Sequence, residues 1–200
     1  MRVDVGQETD PGDPVLEIPW ADPDNPANTY IDVKHRPEAA MELAECRRFP
    51  ALGQFLTRVN AAAMPFRTAK CDAWSTSEMD LEERIAHGLP HKIGSYVDLL
   101  IDRADLNAHA EPYQKLGALL AQRLRDSKAH AQIEMFIRRC LFTLEDRSGY
   151  YATVFVHAYG ANPQEAESEW NEAIGSLGET LDVVSREFGW GGARSSPHKS

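Results

Sequence analysis

The sequence predicts an α+β domain in which amphipathic helices cover an antiparallel sheet of about four or more strands. Three observations predict it. Apolar residues recur with a helical period in some segments and with period two in others. Two strand-like segments, 132–144 and 150–159, are separated by a connection that suits a hairpin, with Gly149 able to take a positive φ. A long apolar stripe of helical period then follows them.

The first half of the chain is predicted to contain two helices and two strands. Pro50 divides the helical pattern of 37–60, because proline cannot donate a hydrogen bond to the preceding turn. After it, four apolar residues share one helix face: Leu52, Phe55, Leu56 and Val59. Residues 65–74 and 93–102 lack this stripe and are predicted as strands, joined by a polar loop.

The second half is predicted as a helix, a hairpin and a final helix. Pro112 suits the first position of a helix ending near 125. In the final helix, Asn162 can cap the N-terminus and Glu165 can bond back to it. The stripe runs from Ala166 to Phe188, and Gly189 supplies the stop. The order α-β-β-α-β-β-α suggests a duplicated helix-plus-hairpin unit.

Both ends of the chain have a different composition. Residues 1–28 are rich in proline and aspartate, which predicts an extended arm rather than a helix or a central strand, although residues around Leu16 could dock as a short edge strand. Residues 189–200 are rich in glycine and serine and are predicted as a flexible tail. The single domain is therefore expected to span 29–188.

Composition limits the classes of partner. The formal net charge of −10 disfavours binding to nucleic acid and to anionic membranes, since both require a positive surface. No apolar run approaches the length of a membrane span, and no export signal is visible, so a cytoplasmic location is expected. Cys46, Cys71 and Cys140 are widely spaced and are predicted to be free thiols.

Motifs for cofactors and metals are missing from the sequence. Glycines occur in no phosphate-binding or dinucleotide-binding pattern, so no cofactor is expected. His87 and His91 have the spacing of helical metal ligands, but Gly88 and Pro90 between them disfavour a helix, and no metal site is predicted. The aromatic residues of the last hairpin, which include Phe136 and Phe155, are expected to pack in the core.

Charged residues inside the predicted strands provide the candidate site. Strand periodicity predicts that one face of the sheet carries Asp72, Asp98, Glu134, Arg138, His157 and Tyr159. A carboxylate beside a histidine can act as a general acid–base pair, which makes Asp98, Glu134 and His157 the catalytic candidates. Asp72, Arg138 and Tyr159 are the ligand-binding candidates, since an arginine can clamp an anion. The alternative is an ordinary solvated sheet face with cross-strand pairs.

Two functions of different class remain open. The first is a non-catalytic acidic protein that recognises a protein partner, in the manner of an inhibitor or immunity protein, or that forms a homodimer. The second is a small cofactor-independent enzyme with an acid–base cleft on the sheet face. Convergence of Asp98, Glu134 and His157 in one pocket would favour the enzyme, whereas dispersal would count against it.

Overall fold

The computed structural model describes residues 1–22, 24–25 and 29–187. Within these ranges, six strands form one mixed sheet: β1 (Arg2–Glu8), β2 (Leu16–Ile18), β3 (Phe66–Thr76), β4 (His91–Ile101), β5 (Ala131–Phe142) and β6 (Arg147–Gly160). The helices are α1 (Ala44–Arg48), α2 (Pro50–Val59), α3 (Leu81–His87), α4 (Ala104–Asn107), α5 (Glu111–Leu124) and α6 (Pro163–Glu187), with a 3-10 helix at Pro37–Glu42. The predicted α+β class is confirmed.

The sheet is antiparallel in its centre and parallel at one edge. The strand order is β1-β5-β6-β4-β3, and β2 also pairs with β5. The predicted hairpin is confirmed, because β5 and β6 are adjacent and antiparallel. Its turn lies at 143–146 with Asp146 at a φ of 47°, whereas Gly149 belongs to β6. The prediction of a purely antiparallel sheet is wrong at the edge, where β1 and β2 run parallel to β5.

The N-terminal segment is extended, as expected, but it belongs to the sheet. β1 pairs with β5 along its whole length, from Arg2 opposite Gln132 to Glu8 opposite Arg138. The N-terminal ammonium also donates a hydrogen bond of 2.8 Å to the carbonyl oxygen of Ser127. Prolines therefore did not prevent pairing, because β1 precedes the first of them. The predicted tail and the predicted stop at Gly189 lie outside the described residues.

One face of the sheet is covered by α2, α5 and α6 and forms the main core. The predicted stripe of α6 is buried there as far as Val184, including Leu177 and Leu181, and Phe188 lies outside the described residues. Trp170 is fully buried, and its indole nitrogen donates to the Ser95 hydroxyl over 3.0 Å. The helix starts at Pro163 with Asn162 accepting from the backbone of Glu165, whose carboxylate accepts from the Ala161 amide.

A short helix, α3, replaces the loop expected between β3 and β4. The Asp80 side chain accepts from the Glu83 amide over 2.7 Å and so caps its N-terminus. Gly88 ends it in the left-handed conformation, with a φ of 66°. β3 and β4 are thus joined through a helix whereas β5 and β6 share a tight turn, so the two halves of the chain differ.

No helix in the described ranges combines the length and the apolarity that crossing a membrane requires. The three cysteines are free thiols; Cys46 and Cys140 are buried, and Cys71 is partly buried.

Candidate functional site

The face of the sheet opposite the three covering helices is the candidate site, and we call it the open face. Residues directly opposite each other on paired strands share a face. Asp98 lies opposite Thr153, Glu134 opposite Phe155, and Gln132 opposite His157. By this register the open face carries all six candidate residues: Asp72, Asp98, Glu134, Arg138, His157 and Tyr159.

The three catalytic candidates share this face without meeting. His157 lies opposite Gly94, four residues along β4 from Asp98, a separation of about 13 Å at about 3.3 Å per residue. Glu134 accepts a hydrogen bond of 3.0 Å from Gln132. Asp98, Glu134 and His157 are therefore dispersed along the open face, the outcome that counts against the enzyme. Strand periodicity determines the face of a residue, but its neighbours depend on the register.

Asp98 stands at the end of a polar chain that crosses the sheet. Its side chain is only 4% exposed and accepts a hydrogen bond of 2.6 Å from the Thr153 hydroxyl. That hydroxyl accepts in turn from Arg138 over 2.9 Å, and the Nε of Arg138 lies 2.7 Å from the carboxylate of Glu8. Among the described residues, Arg138 forms its ion pair with Glu8 and not with Asp98 or Glu134, because β1 places Glu8 directly opposite Arg138.

The environment of Asp98 penalises its charge. Burial raises the pKa of Asp98 to about 6, although the Thr153 hydrogen bond and the charges of Lys70 and Arg138 act in the opposite direction. A buried carboxylate with so little compensation destabilises the folded state at neutral pH. Residues retained at such a cost are concentrated at functional sites.

A cavity of about 330 Å³ is lined by this residue, and we call it the Asp98 depression. Its walls come from Pro14 to Leu16 and from Tyr96, Tyr151 and Phe155. Lys70 also lines it, and its ammonium lies 4.8 Å from the centre of the Trp20 ring. A neighbouring cavity of about 430 Å³ along β3 shares Lys70 and Tyr96.

Aromatic rings form a continuous path across the open face, and we call it the aromatic strip. Phe155 is at its centre, with ring centroids 5.8 Å from Tyr96, 6.1 Å from Phe136 and 6.0 Å from His157. Trp74 extends the strip, 6.2 Å from His157. All five rings are only partly buried. The expectation that Phe136 and Phe155 belong to the core is wrong, because the helices cover the other face.

His157 lies between rings and not beside the predicted charges. Its contacts within the described part of the chain are the rings of Trp74 and Phe155, with no hydrogen bond or ion pair to Asp98, Glu134 or Arg138. Burial and the nearby charge of Lys92 lower the pKa of His157 to about 4. His157 therefore forms no acid–base pair with these residues, and its lowered pKa keeps it neutral near pH 7.

The helix α3 closes this end of the open face. The Glu83 carboxylate accepts from Lys92 over 2.5 Å and from the Tyr159 hydroxyl over 2.8 Å. The His87 ring stacks on the Tyr159 ring with centroids 3.6 Å apart. Tyr159, a ligand-binding candidate, is thus buried under α3 and does not line the Asp98 depression.

The described ranges contain no group of three or more histidine, cysteine, aspartate or glutamate side chains that could hold a metal ion. His87 ends α3 and His91 begins β4, so the pair predicted from spacing does not share a helix.

Comparison with protein-family models, curated proteins and solved structures found no match for this chain.

Proposed function

We propose that this protein is a non-catalytic binding protein that docks a basic, amphipathic segment of a protein partner on the open face. The observation that carries the proposal is the aromatic strip. Its five partly exposed rings are contiguous and cross β5, β6, β4 and β3, on a sheet whose other face is covered by α2, α5 and α6.

The strip has the composition of a binding surface. Tyrosine, tryptophan and phenylalanine are enriched at the centre of protein interfaces, where burying a ring contributes more than burying a smaller side chain. Contiguous apolar patches on a protein surface mark sites of interaction. An apolar side chain of a partner laid across Phe155 would cover neighbouring rings at the same time.

Charge supports a basic partner. Asp72, Asp98 and Glu134 flank the strip, and none of them forms an ion pair with a described residue. Together with the net charge of −10, they would attract lysine or arginine and speed association with a basic segment. A second copy of this chain would carry the same net charge, so self-association is the less favourable use of this face.

The enzyme alternative is favoured by one feature, the buried Asp98 carboxyl that lines a cavity. The other two catalytic candidates do not join it: His157 lies about 13 Å away by the strand register, and Glu134 accepts from Gln132. Asp98 is therefore better explained as a binding residue.

The proposal is tested by selecting peptides from a random displayed library on the full-length protein. We expect enriched peptides to combine aromatic or aliphatic residues with lysine or arginine. Phe155→Ala should weaken the binding of a selected peptide by about tenfold or more, which is the loss typical of a central aromatic contact. Leu144→Ala is the matched control, because Leu144 is 86% exposed in the turn after β5.

Two results would contradict the proposal. One is selection of peptides with no basic residues. The other is equal weakening by Phe155→Ala and Leu144→Ala, which would show that the peptides bind elsewhere.

A further inference from the structure

We propose that the Asp98 depression binds a small zwitterion of the free α-amino acid class, with its ammonium group on Asp98 and its carboxylate on Lys70. This ligand goes beyond the proposed partner docking; the depression shares Asp98, Tyr96 and Phe155 with the open face, but the argument for the ligand does not rest on the partner.

The first argument is the unfilled hydrogen-bonding capacity of Asp98. The side chain is 4% exposed, and among the described residues only the Thr153 hydroxyl donates to it, through Oδ1. A carboxylate can accept several hydrogen bonds, and a buried acceptor without a donor costs free energy. Because Asp98 lines the depression, a ligand entering there can supply the missing donors.

The second argument concerns Lys70. It lines the same depression, yet it forms no hydrogen bond or ion pair within residues 1–22, 24–25 and 29–187, and its ammonium rests against the Trp20 ring. Burial raises the pKa of Asp98, and the positive charge of Lys70 partly offsets that rise. A basic and an acidic residue therefore line one cavity without pairing with each other, which leaves both side chains available to a ligand placed between them.

Charge balance selects a zwitterion. The third charged group, Arg138, is already held by Glu8 and Thr153. What remains is one positive and one negative group. A ligand with only a cation would be repelled by Lys70, and one with only an anion would be repelled by Asp98. A ligand that carries both charges satisfies both groups.

The volume of the depression limits the size of the ligand, and its wall residues indicate the type of side chain that the ligand carries. About 330 Å³ is at the small end of the range of ligand pockets, and it suits a single amino acid. Phe155, Tyr96 and Leu16 provide apolar and aromatic wall surface. The side chain of the ligand is therefore expected to be aromatic or branched aliphatic.

The test is calorimetric titration of the full chain at neutral pH with phenylalanine and leucine. For phenylalanine, the matched probes are phenethylamine, which lacks the carboxylate, and 3-phenylpropionate, which lacks the ammonium. We expect each probe to bind about tenfold more weakly than phenylalanine, the typical loss of one charge-assisted contact. Asp98→Asn and Lys70→Met should each weaken the binding of phenylalanine by a similar factor.

Arg2→Met is the control, because it removes one exposed positive charge from β1, away from the depression. It should leave phenylalanine binding unchanged, and thermal melts should show that each variant is folded. Equal binding of phenylalanine and either single-charge probe would overturn the proposal, as would equal weakening by Lys70→Met and Arg2→Met. Absence of binding of both amino acids at millimolar concentration would also overturn it. None of these results changes with the outcome of the peptide selection.

Discussion

The two faces of the sheet are made by the same strands and differ in almost every property. On β5, Ile133, Met135 and Ile137 are nearly inaccessible to solvent, whereas the alternate residues Glu134 and Phe136 are partly exposed on the open face. The covered face contains apolar groups and polar groups with fixed partners, such as Trp170 with Ser95. The open face keeps a buried acid with an unfilled oxygen and a strip of uncovered rings.

The contrast between the two faces indicates that the covered face stabilises the fold and that the open face is available for binding. Apolar burial on the covered face is the main favourable contribution to folding. On the open face, the elevated pKa of Asp98 means that its charge opposes folding at neutral pH. A protein gains nothing in stability from such a group, so its presence is consistent with a role in binding.

The largest effect is expected on the covered face. Leu181→Ala removes a side chain that is 1% exposed in the main core and should lower the free energy of unfolding by about 2–5 kcal/mol. Urea titration measures this loss, and Leu144→Ala should change it by less than about 0.5 kcal/mol. A loss near zero for Leu181→Ala would show that α6 does not cover the sheet in solution.

The second-largest effect is expected on the open face, where a substitution should raise the free energy of unfolding instead of lowering it. The pKa of Asp98 is raised from its ordinary value of 3.8 to about 6, so the folded state binds this proton more tightly than the unfolded state. Protonated Asp98 therefore adds to the free energy of unfolding below pH 4, and this contribution is lost as the pH rises through about 6. The shift in pKa corresponds to about 3 kcal/mol. Asp98→Asn keeps an acceptor for Thr153 and removes the charge, so it should stabilise the protein near pH 8 by up to this amount.

Urea titrations of both proteins near pH 8 and near pH 5 check this prediction, with Asp72→Asn as the control because Asp72 is exposed on the same face. A stability gain that is the same at both pH values, or larger for Asp72→Asn, would mean that the charge of Asp98 is not buried.

A smaller, opposite pH dependence is expected from His157. Its pKa is lowered from 6.5 to about 4, so the unfolded state binds this proton more tightly. The neutral His157 ring therefore stabilises the folded state above pH 6.5, and this contribution is lost as the pH falls towards about 4. The loss in the free energy of unfolding is about 1–2 kcal/mol, because the ring is partly exposed and solvent weakens the effect. NMR titration should give a depressed pKa, and His157→Gln should remove this part of the loss. A pKa near 6.5 would show that the ring is solvated.

The smallest effect is expected on α3. Leu81 and Ile85 are 72% and 74% exposed, so they remain in water in the folded state. Replacing both by serine should change the free energy of unfolding by less than about 1 kcal/mol, since each surface substitution contributes at most about 0.5 kcal/mol. A larger loss in a urea titration would show that α3 packs more closely on the open face than its contacts through Glu83 and His87 indicate.

Local patterns in the sequence determined the α+β class, the hairpin, the final helix and the face of each candidate residue. Side-chain parity in a strand and capping at Asn162 depend only on neighbours in sequence, so they can be predicted without the fold. For this reason Asp72, Asp98, Glu134, Arg138 and His157 were assigned to one face from the sequence alone.

Tertiary structure decided which of these residues meet. The register places Asp98 beside Thr153 and far from His157, and the parallel pairing of β1 brings Glu8 to Arg138 across 130 residues of chain. Such pairings depend on contacts between distant segments, which no local period encodes. The exposure of Phe136 and Phe155 was equally beyond the sequence, because an aromatic residue in a strand is buried or exposed according to the side on which the helices pack.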